Sequence, residues 1–130
     1  MPSEKIVVLV DDDRDILTVL KHGLEANSYQ VYDFDNPLEA LEFMRTMKSP
    51  QLLITDIRMP AMTGFELARQ VNKDHPEMMI IVLTSFEINA SEFEKVFPST
   101  KIDALVNKPV SINKLVDAVN ALMVSKRITN

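Results

Sequence analysis

Residues 51–60 read QLLITDIRMP, and the fold follows from that reading. Leu52, Leu53 and Ile54 form a short apolar run with strand chemistry, closed by Ser49-Pro50 before it and Met59-Pro60 after it. One carboxylate, Asp56, arrives as the run ends. Inside a buried strand an ionised carboxylate costs too much, but at the strand's carboxyl end it can face a crevice. Two other apolar runs end in the same way. Ile6–Val10 runs into Asp11-Asp12-Asp13, and 80–83 into Thr84-Ser85. Such runs predict parallel strands that deliver polar side chains to one edge of a sheet.

Composition bounds the function. A chain of 130 residues makes about one domain, large enough for a core without staples. Its 46% hydrophobic and 25% charged fractions are those of an ordinary globular protein. A net charge of −5, with no run of Lys and Arg, argues against direct binding to nucleic acid or to an anionic membrane. The absence of cysteine removes disulfides and thiolate chemistry, and fits a cytoplasmic location. No stretch resembles a signal peptide or approaches the ~20 apolar residues that span a bilayer.

Around residues 51–60 the remaining elements alternate. After the strand Ile6–Val10, a helix places Ile16, Leu20 and Leu24 on one face with Val19 nearby, and Asn27-Ser28 ends it. Residues 29–34 alternate as a second strand, expected at an edge. Asn36-Pro37-Leu38-Glu39 starts a helix, with Asn36 as cap, Pro37 in the first turn and Glu39 reaching back. Its inward stripe is read as Leu38, Leu41 and Met44, beside Ala40 and Met47. Gly64 is expected in a turn needing positive φ, before a helix over 65–73 that packs through Phe65, Leu67, Ala68 and Val71. Residues 79–83 form a fourth strand and 104–106 a fifth. Between them a helix starting at Asn89 runs through Val96 and is stopped by Pro98. Ser111 caps a last helix with Ile112, Leu115, Val119 and Leu122 at helical spacing, and 125–130 is a polar tail expected to fray. Strands alternating with helices give an α/β domain with a parallel sheet and right-handed crossovers.

Asp11, Asp12, Asp56, Thr84 and Lys108 all fall at predicted strand ends. Three neighbouring carboxylates repel one another unless a cation joins them, and oxygen-only ligands favour a hard ion such as Mg²⁺, with Mn²⁺ as the alternative. Lys108 adds a mobile positive charge and Thr84 a hydroxyl donor. A carboxylate in this company can act as a nucleophile toward a phosphoryl group, and the charge it gains can reposition Thr84. The bland readings are a solvated strand-end acid for Asp56, helix capping for Asp11 and Asp12, an ordinary β-former for Thr84 and a surface lysine for Lys108. Asp13 and Asp15 are assigned to capping or solvent. His22 and His75 are taken as surface residues, and the eight methionines as core filler.

At these residues the chain resembles the response regulator receiver domains of two-component signal transduction, the CheY-like superfamily. VVLVDDD, LLITDIRMPAMTGFEL, IIVLTS and NKP carry the resemblance in the family's order, and it covers 6–123 of a single domain at 1–130. It implies a single doubly wound (βα)5 flavodoxin/CheY-like fold, with a five-stranded parallel sheet of order 2-1-3-4-5 and helices on both faces. It implies that Asp56 is the phosphoacceptor, and that Asp11, Asp12, Asp56 and the Arg58 backbone carbonyl hold Mg²⁺. Thr84 is then the switch hydroxyl, Lys108 the phosphate-contacting lysine, and Pro109 follows a cis bond. Arg58 and Phe86 flank the site and are expected to tune the acyl-phosphate lifetime.

Leu105 stands where the family usually has Tyr or Phe, and Lys101-Ile102 where it usually has Gly-Ala. The implied partners are a sensor histidine kinase or phosphotransfer protein and a downstream output domain or protein. A homodimer through the face of the fourth helix, fifth strand and fifth helix is also implied. The chain is expected to be a signalling phosphoacceptor that catalyses only its own phosphorylation and dephosphorylation. It is either a stand-alone receiver or a domain of a longer regulator. Leu105 and the irregular 86–100 stretch keep open a docking module only weakly controlled by phosphorylation. An aspartyl-phosphate hydrolase of the haloacid-dehalogenase type fits poorly, because after Lys108 the only acid is Asp117.

Overall fold

Uninterrupted aliphatic runs can lie only where both faces of a sheet are covered, and every residue of β1 (Ile6–Val10), β3 (Leu52–Asp56) and β4 (Met79–Thr84) is buried. The computed structural model describes residues 5–47, 50–85 and 100–128. The other described elements are α1 (Arg14–Ala26), β2 (Gln30–Phe34), α2 (Pro37–Thr46), α3 (Gly64–Asp74), β5 (Ala104–Asn107) and α4 (Ile112–Ile128). The sheet is five-stranded and parallel, in the order β2-β1-β3-β4-β5. β2 is at an edge, as its alternation predicts. The helix expected between Asn89 and Val96 lies outside the described residues, as does Phe86.

Two hydrophobic layers sandwich the sheet. Leu17, Leu20 and Leu24 of α1 and Leu115 and Val119 of α4 meet Val7, Leu9, Ile54 and Ile81 on one face. Ala40, Leu41 and Met44 of α2 and Phe65, Leu67, Ala68 and Val71 of α3 meet Val8, Val10, Leu53 and Ile80 on the other. In α1, Leu17 is buried with Leu20 and Leu24, whereas Ile16 is only partly buried and Val19 is 61% exposed. Leu38 does not join the stripe of α2 and is 49% exposed, while Ala40, Leu41 and Met44 turn inward. The last helix does not end near Ser125 but continues to Ile128.

Local chemistry sets the helix ends. Asp13 caps α1 by accepting from the N–H groups of Asp15 and Ile16. Asn36 caps α2 by accepting from Leu38, with Pro37 in the first turn. Thr63 and Glu66 close a capping box on α3. α1 ends with Ser28 at φ 71°, the Tyr29 N–H on the Leu24 carbonyl and the Ser28 N–H on the Glu25 carbonyl. That is the Schellman arrangement with serine in the left-handed position usually given to glycine. One turn before that end of α1, Gly23 lets α4 approach, since a Cβ there would stand 2.1 Å from Ile112 Cγ1.

At the start of β5, side chains lengthen the pairing. The Asp103 N–H donates to the Ile80 carbonyl while its carboxylate accepts from the Ile80 N–H at 2.7 Å. Lys101 Nζ donates to the Met78 carbonyl, and the Asn72 amide brackets both backbone groups of Lys101. His75, read as a surface residue, is half-buried, and its Nε2 has no hydrogen-bond partner among the described residues.

Relieving the left-handed strain at Ser28 sets a stability test. Ser28→Gly is expected to raise the free energy of unfolding by about 0.5–1 kcal/mol in urea titration. Gly23→Ala is expected to lower it by about 1–3 kcal/mol, because Ile112 must move.

Candidate functional site

The crevice lies where β1, β3, β4 and β5 end. Asp11 follows β1 directly and is fully buried. Its Oδ1 accepts from the Asp13 N–H at 2.9 Å and its Oδ2 from Lys108 Nζ at 3.0 Å. Asp12, next along the chain, is exposed. Asp56 is the last residue of β3 and is 9% exposed. Its Oδ1 accepts from the Ile57 N–H at 2.8 Å and pairs with Lys108 Nζ at 3.3 Å. The lysine ammonium therefore bridges two carboxylates that reach the crevice from adjacent strands.

Lys108 reaches this position because β5 ends one residue earlier, and its N–H donates to the Thr84 carbonyl at 2.7 Å. The Lys108–Pro109 peptide is cis. Thr84 ends β4 and is buried. Arg58 is exposed in the loop two residues beyond Asp56. Leu105 pairs with Val82 and is partly buried on the α2–α3 side of the sheet.

Burial pushes the Asp11 carboxyl above the usual carboxylate range, and the charge of Asp56 adds to that push. The Asp13 N–H and Lys108 oppose it without cancelling it. Burial also works against the Lys108 ammonium, but bonding and attraction to Asp11 and Asp56 outweigh this and hold its pKa above normal. Both shifts are upward; one disfavours the Asp11 anion and the other favours the Lys108 cation, because Asp11 has lost all contact with water while Lys108 keeps some. We read the pair as ionised, with Asp11 a stressed anion. Asp11, Asp12 and Asp56 each offer an oxygen, and these oxygens all lie within 4.8 Å of one another. An all-oxygen donor set with one stressed, buried anion fits a hard divalent cation.

The loop from Asp56 to α3 is tightly built. The Gly64 N–H donates to the Ile57 carbonyl at 2.8 Å. Gly64 does not have positive φ, contrary to expectation; its need is space, because a Cβ would stand 2.1 Å from the Asp56 carbonyl oxygen. The left-handed residue is Ala61, at φ 74°. Thr55, absent from the residues singled out in the sequence, is fully buried beside Asp56 with its hydroxyl on the Asp56 carbonyl at 2.9 Å. A hydroxyl interrupting an aliphatic strand was the available signal.

A doubly wound sheet with clustered aspartates and a bridging lysine at its strand ends defines the CheY-like class of α/β signalling domains. Comparison with known proteins agrees. The family model for the response regulator receiver domain matches residues 7–120. The response regulator receiver protein CpdR of Brucella abortus is 35% identical over 123 residues, covering 93% of this chain and 98% of that protein. The DNA-binding transcriptional regulator NtrC of Escherichia coli is 39% identical over 80 residues, covering 62% of this chain and only 17% of NtrC. The crystal structure of a CheY-like receiver domain protein from Methanospirillum hungatei superposes with a TM-score of 0.88 at 26% identity, covering 98% of this chain and all of that one.

The chain belongs to the response regulator receiver domain family. It is a receiver domain of two-component signalling, a signalling protein rather than a conventional enzyme. Among the described residues no helix is long and apolar enough to cross a membrane.

The contact between Gly64 and the Asp56 carbonyl is testable through stability. Gly64→Ala is expected to lower the unfolding free energy by about 1–3 kcal/mol, measured by urea titration. An unchanged midpoint would show that the loop can yield there.

Proposed function

We propose that this receiver takes a phosphoryl group onto Asp56 from the phosphohistidine of a sensor histidine kinase or phosphotransfer protein, in a Mg²⁺-dependent reaction. The observation that carries this reading is the Lys108 bridge between Asp11 and Asp56 within a cluster of three carboxylates. The phosphotransferase relative, sporulation initiation phosphotransferase F of Bacillus subtilis, supports it at 29% identity over 92% of this chain.

The Ile57 N–H and Lys108 both engage Asp56 Oδ1, which leaves Oδ2 to attack phosphorus. As the new O–P bond forms, the N–P bond of the donor breaks and its electron pair stays on the imidazole. Lys108 stands within reach of both carboxylates and would turn its ammonium to an oxygen of the arriving group. The Thr84 hydroxyl would donate to a second phosphoryl oxygen. Asp11, Asp12, Asp56 and the Arg58 carbonyl would hold Mg²⁺ or Mn²⁺, which supplies positive charge to the oxygens of the transferring group.

Residues 6–123 are the unit to which we assign this chemistry, in the cytoplasm. The acquired charge would draw Thr84 inward and alter the surface offered to an output domain or protein, with Leu105 following as an aliphatic side chain where relatives use an aromatic ring. Arg58 and Phe86 would set how readily water reaches the acyl phosphate. A homodimer through the fourth helix, fifth strand and fifth helix of the family fold belongs to the same proposal.

Incubation with acetyl phosphate and Mg²⁺, read by intact mass, is expected to give one phosphate adduct on the wild type. Asp56→Asn and chelation of Mg²⁺ should each abolish it. Lys108→Met should slow its formation by about 100-fold. An adduct that persists in Asp56→Asn, or its absence from the wild type with a phosphorylated kinase as donor, would sink the assignment.

A further inference from the structure

We propose that Thr55 is a positioning residue for the Asp56 carboxylate, acting through the peptide group that joins Asp56 to Ile57. The proposal rests on the reading of Asp56 as phosphoacceptor, and it begins with a hydroxyl in an unfavourable place. Thr55 is fully buried at the end of an aliphatic strand, where a polar group without a partner is destabilising. Its Oγ1 donates to the Asp56 carbonyl oxygen at 2.9 Å and lies 3.9 Å from Met59 Sδ.

The same carbonyl oxygen is closed in from another direction by Gly64, where no side chain would fit. The Asp56–Ile57 peptide is therefore both bonded and sterically confined at its oxygen. A trans peptide is planar, with its N–H pointing opposite to its C=O, so fixing the oxygen fixes the direction of the Ile57 N–H. That N–H donates to Asp56 Oδ1 at 2.8 Å. A chain of rigid steps thus runs from the Thr55 hydroxyl through one peptide plane to the carboxylate rotamer.

The outcome is a carboxylate with one oxygen held by backbone and by Lys108 and the other presented to the crevice. Valine has nearly the shape of threonine and would fill the same space, but it removes the hydrogen bond and leaves the peptide oxygen confined only by its contact with Gly64. Orientation of a nucleophile is a large part of the rate of a displacement, and small errors in aim are costly. The hydroxyl at 55 therefore acts on the speed of phosphorylation more than on the identity of the site.

The test compares Thr55→Val and Thr55→Ser with the wild type in the acetyl phosphate reaction, together with hydrogen exchange at the Ile57 amide and unfolding in urea. The expected result is that Thr55→Val phosphorylates about tenfold more slowly at full occupancy of the folded state, with faster Ile57 exchange. Thr55→Ser, which keeps the hydroxyl and loses a methyl group, is expected to return both to near the wild-type values even if it is less stable. A Thr55→Val protein that phosphorylates at the wild-type rate overturns the proposal, and so does an equal slowing in Thr55→Val and Thr55→Ser. If Thr55→Val does not fold, the Ile57 amide in the wild type and Thr55→Ser decides: protection supports the proposal, and exchange at the rate of an open loop overturns it. A wild type that takes no phosphate would remove the phosphoacceptor reading instead, while Ile57 protection would still report on Thr55.

Discussion

One ammonium group between two buried carboxylates sets the terms for the rest of the molecule. Lys108 Nζ stands 3.0 Å from Asp11 and 3.3 Å from Asp56, and Asp11 has no contact with water. Two anions held together in such a place repel each other, and a buried charge that loses its partner is strongly destabilising. The cation that offsets this comes from beyond β5, across the intervening strand β4. The parallel sheet in this order brings the three residues together from positions far apart along the chain. The two packed faces exist to hold those strand ends in register.

Strand ends were the most legible part of the sequence, for a physical reason. A strand buried on both faces tolerates no charge, so an abrupt change from Val10 to Asp11, or from Ile54 and Thr55 to Asp56, marks both a boundary and a site. Helix faces were read less well. Leu17 and Val19 are equally apolar, and only the packing of α1 on the sheet decides that the first is covered and the second is not. Leu38 fits the period of α2 but lies exposed in its first turn. Gly64 was assigned to the wrong cause, because crowding by the Asp56 carbonyl comes from the folded loop and leaves no trace in the sequence. Thr55 is not singled out by the sequence, because threonine is also a good β-former. The Thr63-x-x-Glu66 pattern announced a capping box but was read as a plain turn.

The loop between Asp56 and α3 shows how local strain is carried next to a site. Ala61 adopts a left-handed conformation that costs an alanine about 1–2 kcal/mol, and its neighbours over-determine it. The Met62 N–H bonds the Pro60 carbonyl, the Gly64 N–H bonds the Ile57 carbonyl, and the Thr63–Glu66 box anchors the helix that follows. The loop is thus tied by hydrogen bonds on both sides of the distortion. A segment held in this way keeps Arg58 and Asp56 in a constant relation while remaining at the surface.

The side-chain pairing ahead of β5 bears on a different hazard. β5 is a short strand at the sheet's edge, and it leaves the first residues of β4 beyond its reach. Unpaired N–H and C=O groups on such a strand are a template on which a foreign chain can add itself. Asp103 takes both backbone groups of Ile80, and Lys101 takes the carbonyl of Met78. A carboxylate and an ammonium so placed stop the ladder with charge, and a strand arriving from another molecule would have to desolvate both. Asp103 and Lys101 thereby place charge beside the part of β4 that β5 does not cover.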